Sequence, residues 1–274
     1  MPMTWLWLTL GSGLFNGLWT ASIKTKVQDS DAMSFTSALR WGVGLGLLPW
    51  ALWTWIPVGP SWWLFTALAG FFECVSLWTM TRGSRYDYYA TYALSNTSPA
   101  FMALLAPLFL GEVLSINLWL GTALVTAGAI WMYYRGHWSW WGLATAMIGS
   151  FSAVCTKLVI GQGSAISHAS LSFLMGVLLL HLAQPKNQSL NPARVWRRMV
   201  EVKLLILLSA LATLCYFTAV RMAPLTRVSP FVRVNLVVGF LLSYYVLKER
   251  RDWKGRVIGA LILLSGLVLI LVRP

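Results

Sequence analysis

Apolar runs of about twenty residues, nearly free of charge, follow one another along the whole of this sequence. Ten can be marked, near 4–23, 33–55, 61–81, 88–110, 116–134, 138–158, 167–184, 203–222, 226–247 and 255–272. A helix crossing a hydrocarbon core needs roughly 20 apolar residues, so each run has the length of a span. In lipid every backbone polar group must be satisfied internally, which leaves helices or a closed barrel. A barrel would read as alternating segments of about ten residues, and these runs do not alternate. Composition agrees: of 274 residues 58% are hydrophobic and 11% charged, against about 25% charged in a soluble domain. An all-α integral membrane protein of ten transmembrane helices is expected, with no room for a soluble catalytic or nucleic-acid-binding domain. The formal charge of +13 is then read as Lys and Arg at helix ends, which orient the chain and touch anionic lipid. Nucleic acid is not an expected partner.

The N-terminus has no basic segment ahead of its apolar run and is read as the first span, not a cleaved signal. Cys74, Cys155 and Cys215 lie inside apolar runs and are read as reduced thiols packing as small apolar residues. No His, Cys or carboxylate spacing suits a metal, and no Walker-type Gly-rich loop is present to bind ATP. No cofactor is expected. The longest loop, 184–203, reads QPKNQSLNPARVWRRMVEVK. Its basic, partly amphipathic end suggests a helix on the membrane surface.

The chain divides into two similar halves, 1–135 and 138–274. Thr79-Met80-Thr81-Arg82 closes the third run and Thr218-Ala219-Val220-Arg221 the eighth. Asn96 in the fourth run lies 139 positions before Asn235 in the ninth. Leu110-Gly111-Glu112 matches Leu247-Lys248-Glu249, and Gly121 and Gly128 match Gly259 and Gly266. Glu112 and Glu249 are read as structural, pairing with nearby cations or free backbone donors. Five spans is an odd number, so the second half should enter the membrane inverted relative to the first. Such repeats place a central cavity near the midplane, between the halves.

These residues carry a family resemblance. The helices ending LGE (110–112) and LKE (247–249), each followed by a Gly-rich closing helix, resemble the two EamA domains of the drug/metabolite transporter superfamily. Arg40 in SFTSALRWGVGLGLLP is similar to an Arg near the start of that family's second helix, and APLTRVSPFVR (223–233) to its ninth-helix segment. The seventh run has no Arg matching Arg40. The resemblance covers essentially the whole chain. It implies ten helices, a central cavity and transport of small metabolites, and it leaves the substrate open among amino acids, choline-like cations, sugars and drugs.

Orientation follows from counting Lys and Arg. Odd-numbered loops hold 15 and even-numbered loops with the ends hold 4. The count puts odd loops in the cytoplasm and both termini outside, in the cytoplasmic membrane of a prokaryotic cell. The family resemblance implies both termini inside; the count is followed here.

Few polar residues fall within the runs, and they are the site candidates. Glu73 is the acidic residue deep in a span, where an isolated charge is costly unless paired or facing a wet cavity. It is read as a proton-coupling or cation-binding carboxylate, against a neutral Glu bonded between helices. Arg233 and Asn235 follow Pro230, which removes one backbone bond and opens a kink. Arg40 is expected near Asp29 or Asp31. Tyr92 and Asn96, one turn apart, share a face, with Ser95 beside them and Pro99 just after. Asn16 sits between Gly13 and Gly17, whose spacing allows close helix approach; so do Gly42–Gly46 and Gly255–Gly259. Trp19 and Trp78 are candidates for an aromatic wall near Glu73, with Trp41 and Trp131 also deep. Most of the other tryptophans, Trp62 among them, cluster at span ends and suit an interfacial belt. His181 is read as a satisfied interfacial His, and His137 and His168 as loop residues.

The sequence is thus expected to encode a secondary transporter, not an enzyme, monomeric or homodimeric, with membrane lipid and a small molecule as partners. The best substrate class is an amino acid or similar zwitterion, with an Arg for its carboxylate and Glu73 for its cation. A quaternary ammonium or cationic drug, held by Glu73 and aromatics, and a lipid-linked substrate for a flippase are the alternatives.

Overall fold

The apolar runs fold as helices whose starts are fixed by polar residues at the run edges. A computed structural model describes residues 3–27, 31–134, 136–183, 192–246, 248 and 252–272. They form α1 (Thr4–Val27), α2 (Ala32–Trp53), α3 (Pro60–Tyr86), α4 (Tyr88–Ser95), α5 (Ser98–Leu110), α6 (Ile116–Tyr133) and α7 (Trp140–Val159). Then follow α8 (Ala165–Leu182), α9 (Pro192–Glu201), α10 (Lys203–Met222), α11 (Leu225–Val232), α12 (Val234–Tyr245) and α13 (Trp253–Leu271). Asp31, Asp87, Ser115, Ser139 and Ser164 each accept a hydrogen bond from a first-turn N–H, starting α2, α4, α6, α7 and α8. Such caps satisfy donors that a helix start leaves open. Gly111, at φ 64°, ends α5 in the left-handed region where a side chain would be strained.

Eight segments are long and apolar enough to cross a membrane: α3, α4–α5, α6, α7, α8, α10, α11–α12 and α13. Leu52, Leu108, Leu204, Leu261 and Val268 are among many large apolar side chains left exposed. A soluble monomer rarely exposes so much apolar surface; these faces meet lipid. The chain is an integral membrane protein.

Two expected helices are broken. The fourth divides at Asn96–Thr97 into α4 and α5, and the ninth at Arg233 into α11 and α12. Pro99 lies in the first turn of α5, where its missing N–H costs nothing. Pro230 lies in the last turns of α11. The third helix outruns its apolar run and continues to Tyr86, so Arg82 and Arg85 belong to α3 and not to a loop. Part of the long loop folds as α9, which buries Val195 beside α2 and leaves Trp196 exposed. Asp29, Arg135, Lys186, Glu249, Arg250, Arg251 and Arg273 lie outside the described residues, as do the side chains of Lys24 and Lys26.

Contacts between the halves come in reciprocal pairs. Helix α3 packs on α7 as α10 packs on α1, and α12 packs on α1 as α4 and α5 pack on α7. Corresponding helices also pair with each other, α6 with α13 most extensively of all and α2 with α8. The α6–α13 seam is made by glycine. A Cβ on Gly121 would stand 2.7 Å from the Gly266 carbonyl oxygen, and one on Gly128 would stand 2.6 Å from that of Gly259. Those distances exclude any side chain. Gly13 similarly approaches the α11–α12 break at Val232, Val234 and Asn235, and Gly17 approaches α12 at Asn235 and Val238. The other two expected glycine pairs do not act as pairs. Gly46 has nothing within 4 Å, and Gly255 meets only its neighbour Asp252.

Candidate functional site

A cavity of about 260 Å³ lies between the two halves. Its wall takes Asn16, Trp19 and Thr20 from the second half of α1, Leu39 and Arg40 from the first half of α2, and Glu73 to Met80 from the midpoint of α3 onward. Tyr92, Asn96, Arg233 and Asn235 close it at the two helix breaks. The cavity therefore sits toward the end of the bundle that carries the α1–α2 and α3–α4 turns. Eight of the nine candidates read from sequence line this one space.

The ninth, Trp78, does not. Its ring lies on the opposite face of α3, edge-on to Trp141 at 6.0 Å, with the Arg82 guanidinium 5.3 Å away. Five residues turn a helix well past one circuit, so Glu73 and Trp78 point apart. Arg40 is also placed differently. Asp31 is engaged at the start of α2, accepting from Ser34 N at 2.8 Å. Arg40 instead donates from Nη2 to Glu73 Oε1 at 2.7 Å and lies 4.4 Å from the Phe173 ring. The Arg40 side chain is 7% exposed and that of Glu73 36%, so the carboxylate keeps a face toward the cavity.

Arg233 pairs with no carboxylate among the described residues. It donates from Nη1 to Asn96 Oδ1 at 2.6 Å and from Nη2 to Ser98 Oγ, joining the second break to the first. Asn96 in turn donates to the Tyr92 carbonyl at 2.7 Å, and the Tyr92 hydroxyl donates to Thr20 Oγ1 at 3.1 Å. Asn16 donates to Ser12 Oγ at 3.4 Å. Trp19 Nε1, Ser229 Oγ and Asn235 Oδ1 face the cavity region without a hydrogen-bond partner. With Arg40 and Glu73 cancelling, the charged groups of the wall sum to one positive charge, on Arg233.

Much of the remaining wall is small and hydroxylated. Thr145, Gly149, Ser152 and Thr156 line it from α7, with Ser209, Thr213 and Tyr216 from α10. The four α7 residues are spaced i, i+4, i+7, i+11, which is one helix face; that spacing was a readable signal. His168, expected in a loop, is buried in α8, with Nδ1 3.1 Å from Thr66 Oγ1 and Nε2 3.2 Å from Thr156 Oγ1. His181 contacts Ser37 Oγ at 2.9 Å. Trp62 is fully buried against Trp63 and His168, whereas Trp131 is 58% exposed; the sequence expectation had these reversed. Arg256, one of the 15 Lys and Arg assigned above to the odd-numbered loops, lies in α13 and is buried near the rings of Tyr89 and Tyr133. Lys157 donates to the Val220 and Ala223 carbonyls at 2.6 and 2.8 Å, closing the end of α10. Glu112 accepts from Leu225 N, Thr226 N and Thr226 Oγ1 at 2.7, 3.0 and 2.7 Å, opening α11. Among the described residues no cluster of His, Cys, Asp or Glu could hold a metal ion.

The family model of EamA-like transporters matches residues 3–134 and again 137–272. Twenty-seven chains of solved structures are similar. One, titled "Crystal structure of protein", aligns over 99% of this chain and 97% of its own, with a TM-score of 0.71 and 12% identity. That likeness shows a shared fold. Among curated proteins no relative matches the chain.

Proposed function

From the premise that the chain belongs to the EamA-like transporter family, both halves of it matching, we propose a secondary transporter that carries a small organic solute by alternating access. Ten spans are the reading the helices support. Eight are apolar enough on their own, and α1 and α2 have the length, at 24 and 22 residues. The reciprocal contacts between halves favour an inverted repeat with its substrate site at the interface. By the Lys and Arg count the cavity opens toward the cytoplasm.

The substrate is an amino acid or similar solute with a carboxylate. The observation that carries this reading is one cavity holding Arg233 from the second half and the Arg40–Glu73 pair from the first. Arg233 takes the carboxylate through charge-assisted hydrogen bonds. Glu73 Oε2, which has no partner among the described residues, takes the ammonium. Trp19, Tyr92 and Tyr216 flank the body of the solute. Glu73, paired with Arg40 on the cavity wall, is the carboxylate assigned to proton coupling. The net positive wall disfavours a quaternary ammonium, which would meet Arg233 without compensation.

Counterflow tests this. Proteoliposomes loaded with amino acids should accumulate labelled amino acid above protein-free liposomes, and Arg233→Gln should lower the rate roughly tenfold or more, as the loss of a charged hydrogen bond implies. Background flux for every amino acid would reject the substrate class. Full activity in the variant would remove Arg233 from the site.

A further inference from the structure

A second pocket lies on the outer face of α3, separated from the central cavity by the helix itself. Its volume is about 750 Å³. Phe71, Val75, Trp78, Arg82 and Arg85 form its floor, at the alternating three- and four-residue spacing of a single helix stripe. The first turn of α2, at Asp31 to Met33, and the last turn of α8, at Leu180 and Ala183, form its walls. The cavity residues of the same helix, Glu73, Ser76, Leu77 and Met80, lie on the opposite side.

Arg82 is held in place by aromatic rings. Its guanidinium is 5.3 Å from the Trp78 ring and 4.9 Å from the Trp141 ring. A guanidinium held by ring contacts still offers its N–H donors, which suit two oxygens of a phosphate. Neither Arg82 nor Arg85 has an ion-pair partner among the described residues. Asp31, the one carboxylate of the pocket among the described residues, is engaged with Ser34 N. Below the arginines the stripe turns apolar at Val75 and Phe71. The pocket is therefore cationic at the end of the helix and apolar toward its middle. Arg221, the residue matching Arg82 in the second half, has no ring contact among the described residues.

We propose that this pocket binds an anionic glycerophospholipid. Arg82 and Arg85 take the phosphate oxygens, and Val75 and Phe71 lie along the first acyl carbons. The net positive wall selects an anionic lipid over a zwitterionic one. The site is independent of the transported solute.

Native mass spectrometry of the purified protein in detergent, with added phosphatidylglycerol, phosphatidylcholine or sn-glycerol phosphate, reads it without any transport. The wild type should retain one phosphatidylglycerol at concentrations where neither of the others binds. Arg82→Gln with Arg85→Gln should weaken that adduct tenfold or more, while Arg221→Gln with Arg227→Gln should leave it unchanged. Equal retention in the first double variant overturns the site. Binding of sn-glycerol phosphate as tight as that of the lipid overturns the assignment to a phospholipid. Thermal melting of the wild type alone gives a second reading, which does not depend on the variants folding: phosphatidylglycerol should raise the melting temperature more than phosphatidylcholine, and equal shifts count against the proposal.

Discussion

The two broken helices occupy matching places in the two halves but are held by different means. Helix α4 is capped by its own Asp87, which accepts from Ala90 N at 2.9 Å. The α4–α5 break then satisfies itself locally. Ser95 and Asn96 donate to the Tyr92 carbonyl, and Thr97 donates to that of Leu94. Helix α11 has no cap of its own, since Pro224 precedes it. Its first N–H groups are taken by Glu112, from the connection between α5 and α6. At the second break Arg233 reaches across to Asn96 and Ser98. The first break closes its own backbone bonds locally, and the second takes both its cap and its Arg233 partners from the opposite half. The first half therefore acts as the frame, and α11–α12 is the element whose shape depends on how the halves are docked.

This contrast can be broken most strongly at Glu112. Glu112→Gln replaces a carboxylate that accepts three hydrogen bonds with an amide that turns a donor toward one of them. A loss of about 2–3 kcal/mol is expected, the range for hydrogen bonds to a charged group. Thermal melting in detergent would show it, and a wild-type melting temperature would mean that the cap across the halves contributes nothing. Asp87→Ala removes the local cap of α4 and should cost about 1 kcal/mol, an ordinary N-cap. If it proves costlier than Glu112→Gln, the first break is not the self-sufficient one. Smallest is Asn235→Ala. Asn96 and Asn235 match in sequence, yet Asn96 bonds to Tyr92 and Arg233 while Asn235 Oδ1 has no partner. Asn235→Ala should change stability by about 0.5 kcal/mol or less while weakening substrate-induced thermal stabilisation. A large loss of stability would show that the two asparagines are equivalent after all.

What could be read in advance follows from physical range. Apolar runs and their polar edges are local, so helix positions emerged within a few residues. Both prolines near the breaks were visible, but a Pro marks a weak place without saying on which side the helix opens. Helix α4 ends before Pro99 and α11 ends after Pro230. The cavity residues were found because polar groups within apolar runs are costly and few. Their partners were not. Arg40 and Glu73 are 33 residues apart on separate helices, and no periodicity within either helix relates them. Trp78 was misplaced because nearness in sequence to Glu73 says little about which face of the helix a ring occupies. Serines and threonines such as Ser152 and Ser209 went unremarked, because a lone hydroxyl in a span commonly returns its bond to its own helix.

The glycine seam between α6 and α13 bears on how the chain is made. Synthesis runs from the N-terminus, so every helix from α7 to α12 emerges between these two partners. Until α13 arrives, the bare backbone at Gly121 and Gly128 has lipid where its partner should be, and lipid tails cannot follow that flat surface as Gly259 and Gly266 do. The first half is thus unfinished when its own last residue is translated. It is completed by the final helix, and a ribosome that stops short of that helix leaves both halves open.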